Sequence, residues 1–165
     1  MGQVFKNVLV GYPGEVSHSG DRLVKAYANM DNRDIPFGFP VFMNADGTGV
    51  VGISASSDPA KFVGFAARVG SKTPPVYDDP NMTGENNVAV YKKGDMMDVL
   101  ITGSIVVDAT GSNPKPGMPV YLNKEYGKAA AVSSESTLTV PDIYFGTVRD
   151  TGGRTEIIVS KRHCG

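Results

Sequence analysis

The residues of this chain that could do chemistry are few and lie far apart. The stretch GFAARVGSKT, from Gly64 to Thr73, approaches a phosphate-binding loop, but five residues separate its glycines instead of four, and Ser71 stands between Gly70 and the lysine. Such a loop needs its lysine immediately after the second glycine, because its backbone amides must surround the phosphates in register. The stretch GISAS, from Gly52 to Ser56, lacks the second glycine of a nucleophile elbow. We therefore predict neither a phosphate site nor a nucleophilic serine.

Acidic residues do not form a recognisable site either. The sequence from Asn44 to Gly47 resembles the start of a calcium loop, yet the bidentate glutamate that should follow is absent, so a turn is predicted. Asp78 and Asp79 precede a proline, which is typical of a solvated loop. Asp95 and Asp98 flank two methionines where a strand begins, and we interpret them as a polar strand edge rather than a general acid and base.

The remaining candidates are isolated. His18 and His163 lie near opposite ends, and Cys164 is the single cysteine, so no intrachain disulfide and no cysteine-based metal site can form. Sixteen basic residues balance 17 acidic ones without clustering, which argues against nucleic acid as a partner. No apolar run reaches the length of a membrane span. We predict a soluble protein that is not an enzyme and has no catalytic residue, cofactor or metal.

The elements that would position any site are mainly strands. Twenty glycines and 11 prolines interrupt nearly every window long enough for a helix, and the helical candidates are Asp21–Asn29 and Pro59–Ala67. Runs rich in Val, Ile, Thr and aromatic residues predict strands at Val41–Met43, Val50–Ile53, Phe62–Val69, Val88–Tyr91, Asp98–Asp108, Met118–Leu122, Ser136–Val140 and Thr155–Ser160. We expect an all-β fold, an antiparallel β-barrel or a jelly-roll-like sandwich.

One heptapeptide pattern occurs twice, as GFPVFMN from Gly38 and as GMPVYLN from Gly117. Glycine allows a tight turn, proline then begins a strand, and the final asparagine opens the next turn. Each copy follows a Gly-Asp pair and precedes a strand with a central glycine, Gly64 or Gly146. The pattern suggests two related β units, 20–69 and 88–160, although chance recurrence of turn chemistry would look similar.

The predicted domain organisation is simple. An extended N-terminal arm, residues 1–19, precedes a single β domain, residues 20–165. The polar, proline-containing stretch from Gly70 to Asn87 is predicted to be a long loop that joins the two units.

The ordered set of motifs resembles the capsid cement, or decoration, proteins of tailed bacteriophages. It consists of the strand around Gly64, VAVYKKG, a Val/Ile strand, PGMPVYL and IYFG, and it extends from about Phe39 to Ser160. The resemblance implies a β-barrel or jelly-roll-like structural protein of the virion, made in the host cytoplasm. Such a protein binds the outer capsid surface as a homodimer or homotrimer and joins major capsid protein subunits. The resemblance implies no catalytic residue.

Two apolar segments are the predicted partner interface, because they lie outside the related units. The arm contributes five residues and the loop three: Val4, Phe5, Val8, Leu9, Val10, Pro74, Pro75 and Tyr77. Two other functions stay open at this stage. One is a tail or fibre adaptor in the same virion, and the other is a small trimeric β-fold nucleotide hydrolase, for which the chain offers only isolated members of the required residue set.

Overall fold

Strands dominate the computed structural model, which describes residues 13–16, 21–68, 90–110, 114–149 and 153–160. The strands are β1 (Leu23–Ala28), β2 (Ile35–Pro36), β3 (Pro40–Met43), β4 (Val50–Gly52), β5 (Phe62–Ala66), β6 (Val90–Tyr91), β7 (Met96–Thr110), β8 (Pro119–Asn123), β9 (Ala129–Ala130), β10 (Thr137–Arg149) and β11 (Arg154–Val159). Within these ranges the helical content is one 3₁₀ turn, Pro59–Lys61. The predicted all-β fold is confirmed.

Both helical candidates are wrong. Asp21–Asn29 contains β1, because pairing with β7 outweighs the helix propensity of its alanines and lysine. Pro59–Ala67 begins with the 3₁₀ turn, where Asp58 caps the amide of Ala60, and then becomes β5. Phe62 and Phe65 of β5 stack edge to face at 5.5 Å between ring centroids. The irregularity in the pairing of β5 with β3 lies between these two residues and brings them to the same face of the sheet.

The C-terminal half closes into a barrel. Its strands follow the order β7, β11, β10, β8 and β9, and β9 pairs in parallel with the end of β7, so the ring is complete. The other pairs in this ring are antiparallel. Inward-facing residues such as Ile105, Leu122 and Phe145 are fully buried and belong to the larger of the two apolar cores, which also includes Phe42 and Phe65 from the N-terminal half. We call this ring the C-terminal barrel.

The N-terminal half forms a second ring that shares β7. Here β7 pairs with β1 on one side and with β5 on the other, and β3 and β4 continue the sheet beyond β5. A parallel bridge between Asn29 and Val50 joins the chain after β1 to β4. The smaller core lies in this ring and includes Val41, Tyr91 and Val99. We call it the N-terminal ring. Strand β7 therefore belongs both to this ring and to the C-terminal barrel.

The two copies of the heptapeptide have the same local structure. Gly38 and Gly117 have φ values of 79° and 83°, and β3 and β8 begin two residues after them. At the other end, the Asn44 amide donates to the carbonyl of Gly49, and the Asn123 amide donates to that of Lys128. In both loops the asparagine side chain also accepts backbone amides. The final asparagine therefore closes a hairpin loop of the same length each time.

The corresponding valines of the two copies, Val41 and Val120, are both buried. β3 pairs with β4 and β5, and β8 pairs with β9 and β10, so each copy is the middle strand of three. This shared arrangement is what a duplication would produce. Descent of the two units from one ancestral unit stays a prediction.

Asn29 holds the N-terminal ring closed. Its side chain is 0% exposed, and its backbone amide donates to the carbonyl of Asp95 while its own carbonyl accepts the amide of Gly94. The side-chain Nδ2 donates to the Tyr91 carbonyl at 2.9 Å, and Oδ1 accepts the amide of Asp31 at 2.9 Å. One buried residue thus pairs with backbone groups of four residues, three of them in the segment from Tyr91 to Asp95.

Asp31 and Arg33 reinforce this closure at the surface. They form an ion pair at 2.9 Å, Asp31 Oδ2 also accepts the Gly52 amide, and Arg33 donates to the carbonyl of Ile53. Partial burial opposes ionisation of Asp31, but these hydrogen bonds outweigh it and lower the pKa of the carboxyl.

Candidate interaction surface

Residues Pro13–Val16 lie against β7, at the place where the two rings meet. The Gly14 amide donates to the Val106 carbonyl at 2.8 Å, and the Val106 amide donates to Glu15 at 3.0 Å. On its other side, Gly14 accepts the Arg68 amide at 2.7 Å. Gly14 therefore bridges β7 and the residues that follow β5.

Close approach of two backbones explains why Gly14 is glycine. Its φ is +83°, and a Cβ at this position would lie 2.7 Å from Cβ of Phe37 and 3.0 Å from the amide nitrogen of Gly38. Gly38, which opens the first heptapeptide, donates its amide to Ala66 at 2.7 Å. Gly38, the first residue of the first heptapeptide, therefore has a second role that its sequence does not reveal. Its backbone packs directly against Gly14.

Tyr91 joins the two ends of the segment 69–89. Its hydroxyl donates to the carbonyl of Ala67 at 2.6 Å, and it also accepts the Asp98 amide at 3.4 Å. The ring packs against Phe37 with centroids 5.1 Å apart, and the residue is 0% exposed. Burial raises the pKa of the Tyr91 phenol to about 12.

Replacing Tyr91 with Phe should destabilise the protein by about 1–2 kcal/mol at neutral pH, because the buried Ala67 carbonyl loses its donor. The pKa of about 12 in the folded protein lies above the ordinary tyrosine value of 10.0, so the hydroxyl's contribution to stability is complete below pH 10 and is lost as pH rises toward 12. Urea unfolding of both proteins between pH 8 and 11 tests this. The difference in unfolding free energy should shrink above pH 10, and a constant difference would contradict the assignment.

The described residues from which the two predicted contact segments continue are therefore adjacent. Residues 1–12 continue from Pro13, segment 69–89 leaves from Arg68, and the Gly14–Arg68 hydrogen bond joins the two exits. We call Gly14, Phe37, Gly38, Ala67 and Tyr91 the root cluster. The eight predicted interface residues themselves (Val4, Phe5, Val8, Leu9, Val10, Pro74, Pro75 and Tyr77) lie outside the described residues. Their role in partner binding stays a prediction. The root cluster was not predicted from the sequence, and its only signal there was its glycines.

The residues considered for chemistry serve structural roles where they are described. Asn44–Gly47 forms a hairpin loop, and the Asp95 carboxylate caps the amide of Lys92 in a turn. Ser54 bonds to neighbouring serines. Across the described ranges, no group of three His, Cys, Asp or Glu side chains is arranged to hold a metal ion. His18, His163, Cys164, Asp78 and Asp79 lie outside those ranges.

The described surface carries exposed apolar side chains in four places, one of which is Met30, in the chain after β1. Leu23, Val24 and Met96 lie on β1 and the start of β7. Tyr144 and Ile158 are cross-strand partners on the outside of the C-terminal barrel. Tyr126 and Val132 project from loops, where a shallow cleft of about 260 Å³ runs beside Val132 and is lined mainly by hydroxyl and alanine side chains. No helix among the described residues has the length and apolar character to cross a membrane.

Comparison with known proteins identifies a family and several similar solved structures. The profile of a phage family described as structural cement protein matches residues 3–160. A chain from a structure entitled "The capsid of Myoviridae Phage XM1" superposes with a TM-score of 0.72 at 22% identity, covering 95% of this chain and 94% of that chain. At this identity the likeness shows the fold. No curated protein matches.

Proposed function

Because the chain belongs to the family of phage structural cement proteins, we propose that it binds the outer surface of a phage head and stabilises contacts between major capsid protein subunits. The observation that carries this proposal is the family match over residues 3–160, which includes both rings and both predicted contact segments. The match favours the cement role over the tail or fibre adaptor and over the nucleotide hydrolase. The protein acts structurally, without catalysis, in a virion assembled from components made in the host cytoplasm.

The capsid contact is made by the arm and the loop together. The Gly14–Arg68 hydrogen bond supports this, because it brings the exits of both segments to one side of the junction between the rings. Apolar residues at Val4, Phe5, Val8, Leu9 and Val10 provide the arm's contact, and Pro74, Pro75 and Tyr77 provide the loop's. Prolines limit the conformational entropy that the loop loses on binding.

Self-association strengthens the attachment. A homodimer or homotrimer carries two or three copies of each contact segment, and linked contacts raise apparent affinity by roughly 10²–10⁴-fold without new interactions. The major capsid protein repeats over the head, so each oligomer finds matching sites. Individual contacts can then be weak.

Deleting Met1–Tyr12 should lower the apparent affinity for heads by roughly tenfold or more, because every subunit of an oligomer loses its arm contact. The measurement is occupancy on purified heads that lack the protein, together with their resistance to heat. Circular dichroism checks that the shortened chain retains the β fold. Full occupancy with unchanged head stability would exclude the arm's role.

A second variant, with Gly and Ser replacing Pro74–Tyr77, tests the loop on the full-length chain. A combined variant should bind more weakly than either single change. Replacing Lys61, which is exposed on the 3₁₀ turn, with Ser is the matched control and should leave occupancy unchanged.

A further inference from the structure

Four side chains form a row across the outside of the C-terminal barrel. Ser104 of β7 pairs with Ile158 of β11, and Ile158 pairs on its other side with Tyr144 of β10. Tyr144 pairs in turn with Pro119 of β8. Neighbours along these strands, such as Ile157, are buried in the larger core, so the four side chains of the row face outward. We call these four residues the outer row.

The outer row is apolar and uncharged. Ile158 and Tyr144 are each 37% exposed, and Pro119, the next residue in the row, is also exposed. Single exposed apolar side chains are ordinary on a protein surface, but three that are cross-strand partners form a continuous patch. Aromatic side chains without neighbouring charge are typical of the centre of a protein–protein interface. The outer row therefore has the composition of a contact surface.

A strained bulge of β10 adjoins the outer row. Between Thr139 and Tyr144, β10 has four residues where its partner β8 has one. Within this bulge Asp142 has a φ of 64°, and it alone among the described residues other than glycine has a positive φ. Bulges and strained residues of this kind occur preferentially at functional surfaces, where they redirect side chains. The bulge is a second, independent indication that this face of the barrel binds a partner.

The outer row lies beside the segment from which the arm continues. The Gly14 amide donates to the Val106 carbonyl, and Val106 of β7 pairs with Glu156 of β11. Ile158 is two residues from Glu156 on the same face of β11, a separation of about 7 Å. An arm that binds the capsid therefore holds the outer row close to the same capsid surface.

The charged residues next to the outer row are acidic. On its four strands, the residues within two positions of the row that carry charge at neutral pH are Glu156 and Asp142. No ion pair among the described residues involves Glu156, whose side chain lies along the outside of the barrel over Gly146. A carboxylate at the border of an apolar contact favours a lysine or arginine on the partner. The complementary surface is therefore an apolar side chain beside a cationic one.

We propose that the outer row docks on the major capsid protein, on a segment that presents an apolar side chain beside a lysine or arginine. Ile158 and Tyr144 provide the apolar contact, and Glu156 provides the charge. This proposal rests on the proposed function and deepens it, because it adds a third contact to those of the arm and the loop. A preformed sheet face loses little conformational entropy on binding, so even a small contact of this kind contributes to affinity.

Removing the apolar contact gives the first test. Tyr144→Thr and Ile158→Thr suit a strand, and the double variant should bind purified heads that lack the protein roughly tenfold or more weakly than the native chain does. The matched control is Leu23→Thr/Val24→Thr, which changes two β1 residues that are 44% and 38% exposed, and it should bind like the native chain. Circular dichroism and thermal unfolding check that both double variants are folded.

Charge reversal gives a second test. Glu156→Lys should weaken binding to heads by roughly tenfold, because it places one cation against another. The control is Glu135→Lys, which changes an exposed glutamate in the loop before β10 and should leave binding unchanged.

A photocrosslink tests the contact without removing it. When p-benzoylphenylalanine replaces Tyr144, an aromatic ring is retained, and illumination of decorated heads should join the protein to the major capsid protein. The same replacement at Val24 should give little of this product. A crosslink from position 144 to a second copy of the chain would instead assign the outer row to self-association and overturn the proposal.

The proposal is also overturned if the Tyr144→Thr/Ile158→Thr variant binds heads as tightly as the native chain, or if the β1 control loses as much affinity. Failure of the proposed function would look different, because the native chain itself would then not occupy the heads. If the native chain binds and only the outer-row variants are without effect, the arm and the loop keep their proposed role.

Discussion

Replacing Gly64 with Ala should reduce the stability of the protein by roughly 3 kcal/mol or more and lower its melting temperature by about 10 °C. A Cβ at this position would overlap the carbonyl oxygen of Leu100 and would lie 2.9 Å from its carbonyl carbon. Because these atoms belong to the backbone of β7, no side-chain rotation relieves the overlap. β5 must move away from β7, which disturbs both cores at once.

Gly146 supplies the matched control for this substitution. It lies next to a phenylalanine in a strand, as Gly64 does, but the nearest atoms to a Cβ there would be those of the Glu156 side chain at 3.1 Å. That flexible side chain can rotate, so Gly146→Ala should cost less than about 1 kcal/mol. Urea unfolding of the two variants measures the difference. Equal losses would show that β5 and β7 do not approach as closely as described.

Replacing Asn29 with Ala should cost about 2–4 kcal/mol. The substitution removes the partners of the buried Tyr91 carbonyl and of the Asp31 amide, and an unsatisfied buried group costs about 1–3 kcal/mol. The loss should appear in urea unfolding as a lower midpoint with an unchanged slope, because the surface exposed on unfolding stays the same.

Asn44→Ala is the comparison for this prediction. The side chain of Asn44 also accepts two backbone amides, those of Thr48 and Gly49, but it lies in a hairpin loop that water can reach. Water can replace these bonds, so the expected loss is about 0.5–1 kcal/mol. If the two variants lose equal stability, burial is not the reason that Asn29 matters.

The sequence was sufficient to predict most of the strands, because Val, Ile and Thr runs between Gly and Pro suit a buried, pleated surface. It did not predict the two-residue strands β2 and β9, which are too short to carry such a run. It was insufficient for β1, where Leu, Ala and Lys also favour a helix and only pairing with β7 decides. The root cluster could not be predicted, because Gly14, Gly38 and Tyr91 are distant in sequence and no local sequence pattern indicates their contacts. The heptapeptide did predict its own turns, because those depend on neighbouring residues alone.

The position of Pro13–Val16 beside β7 has a mechanical consequence. Val16 forms an antiparallel bridge with Ile105, and the hydrogen bonds of Gly14 and Glu15 run across to the same strand. When a strand is pulled along its own axis, the hydrogen bonds perpendicular to it carry the force together. When the strand is pulled sideways, these hydrogen bonds break one after another. If the arm anchors the protein to the capsid, as proposed, a pull on Pro13 directed along β7 would therefore load these bonds in shear. The load would pass directly to β7 and be distributed to both rings.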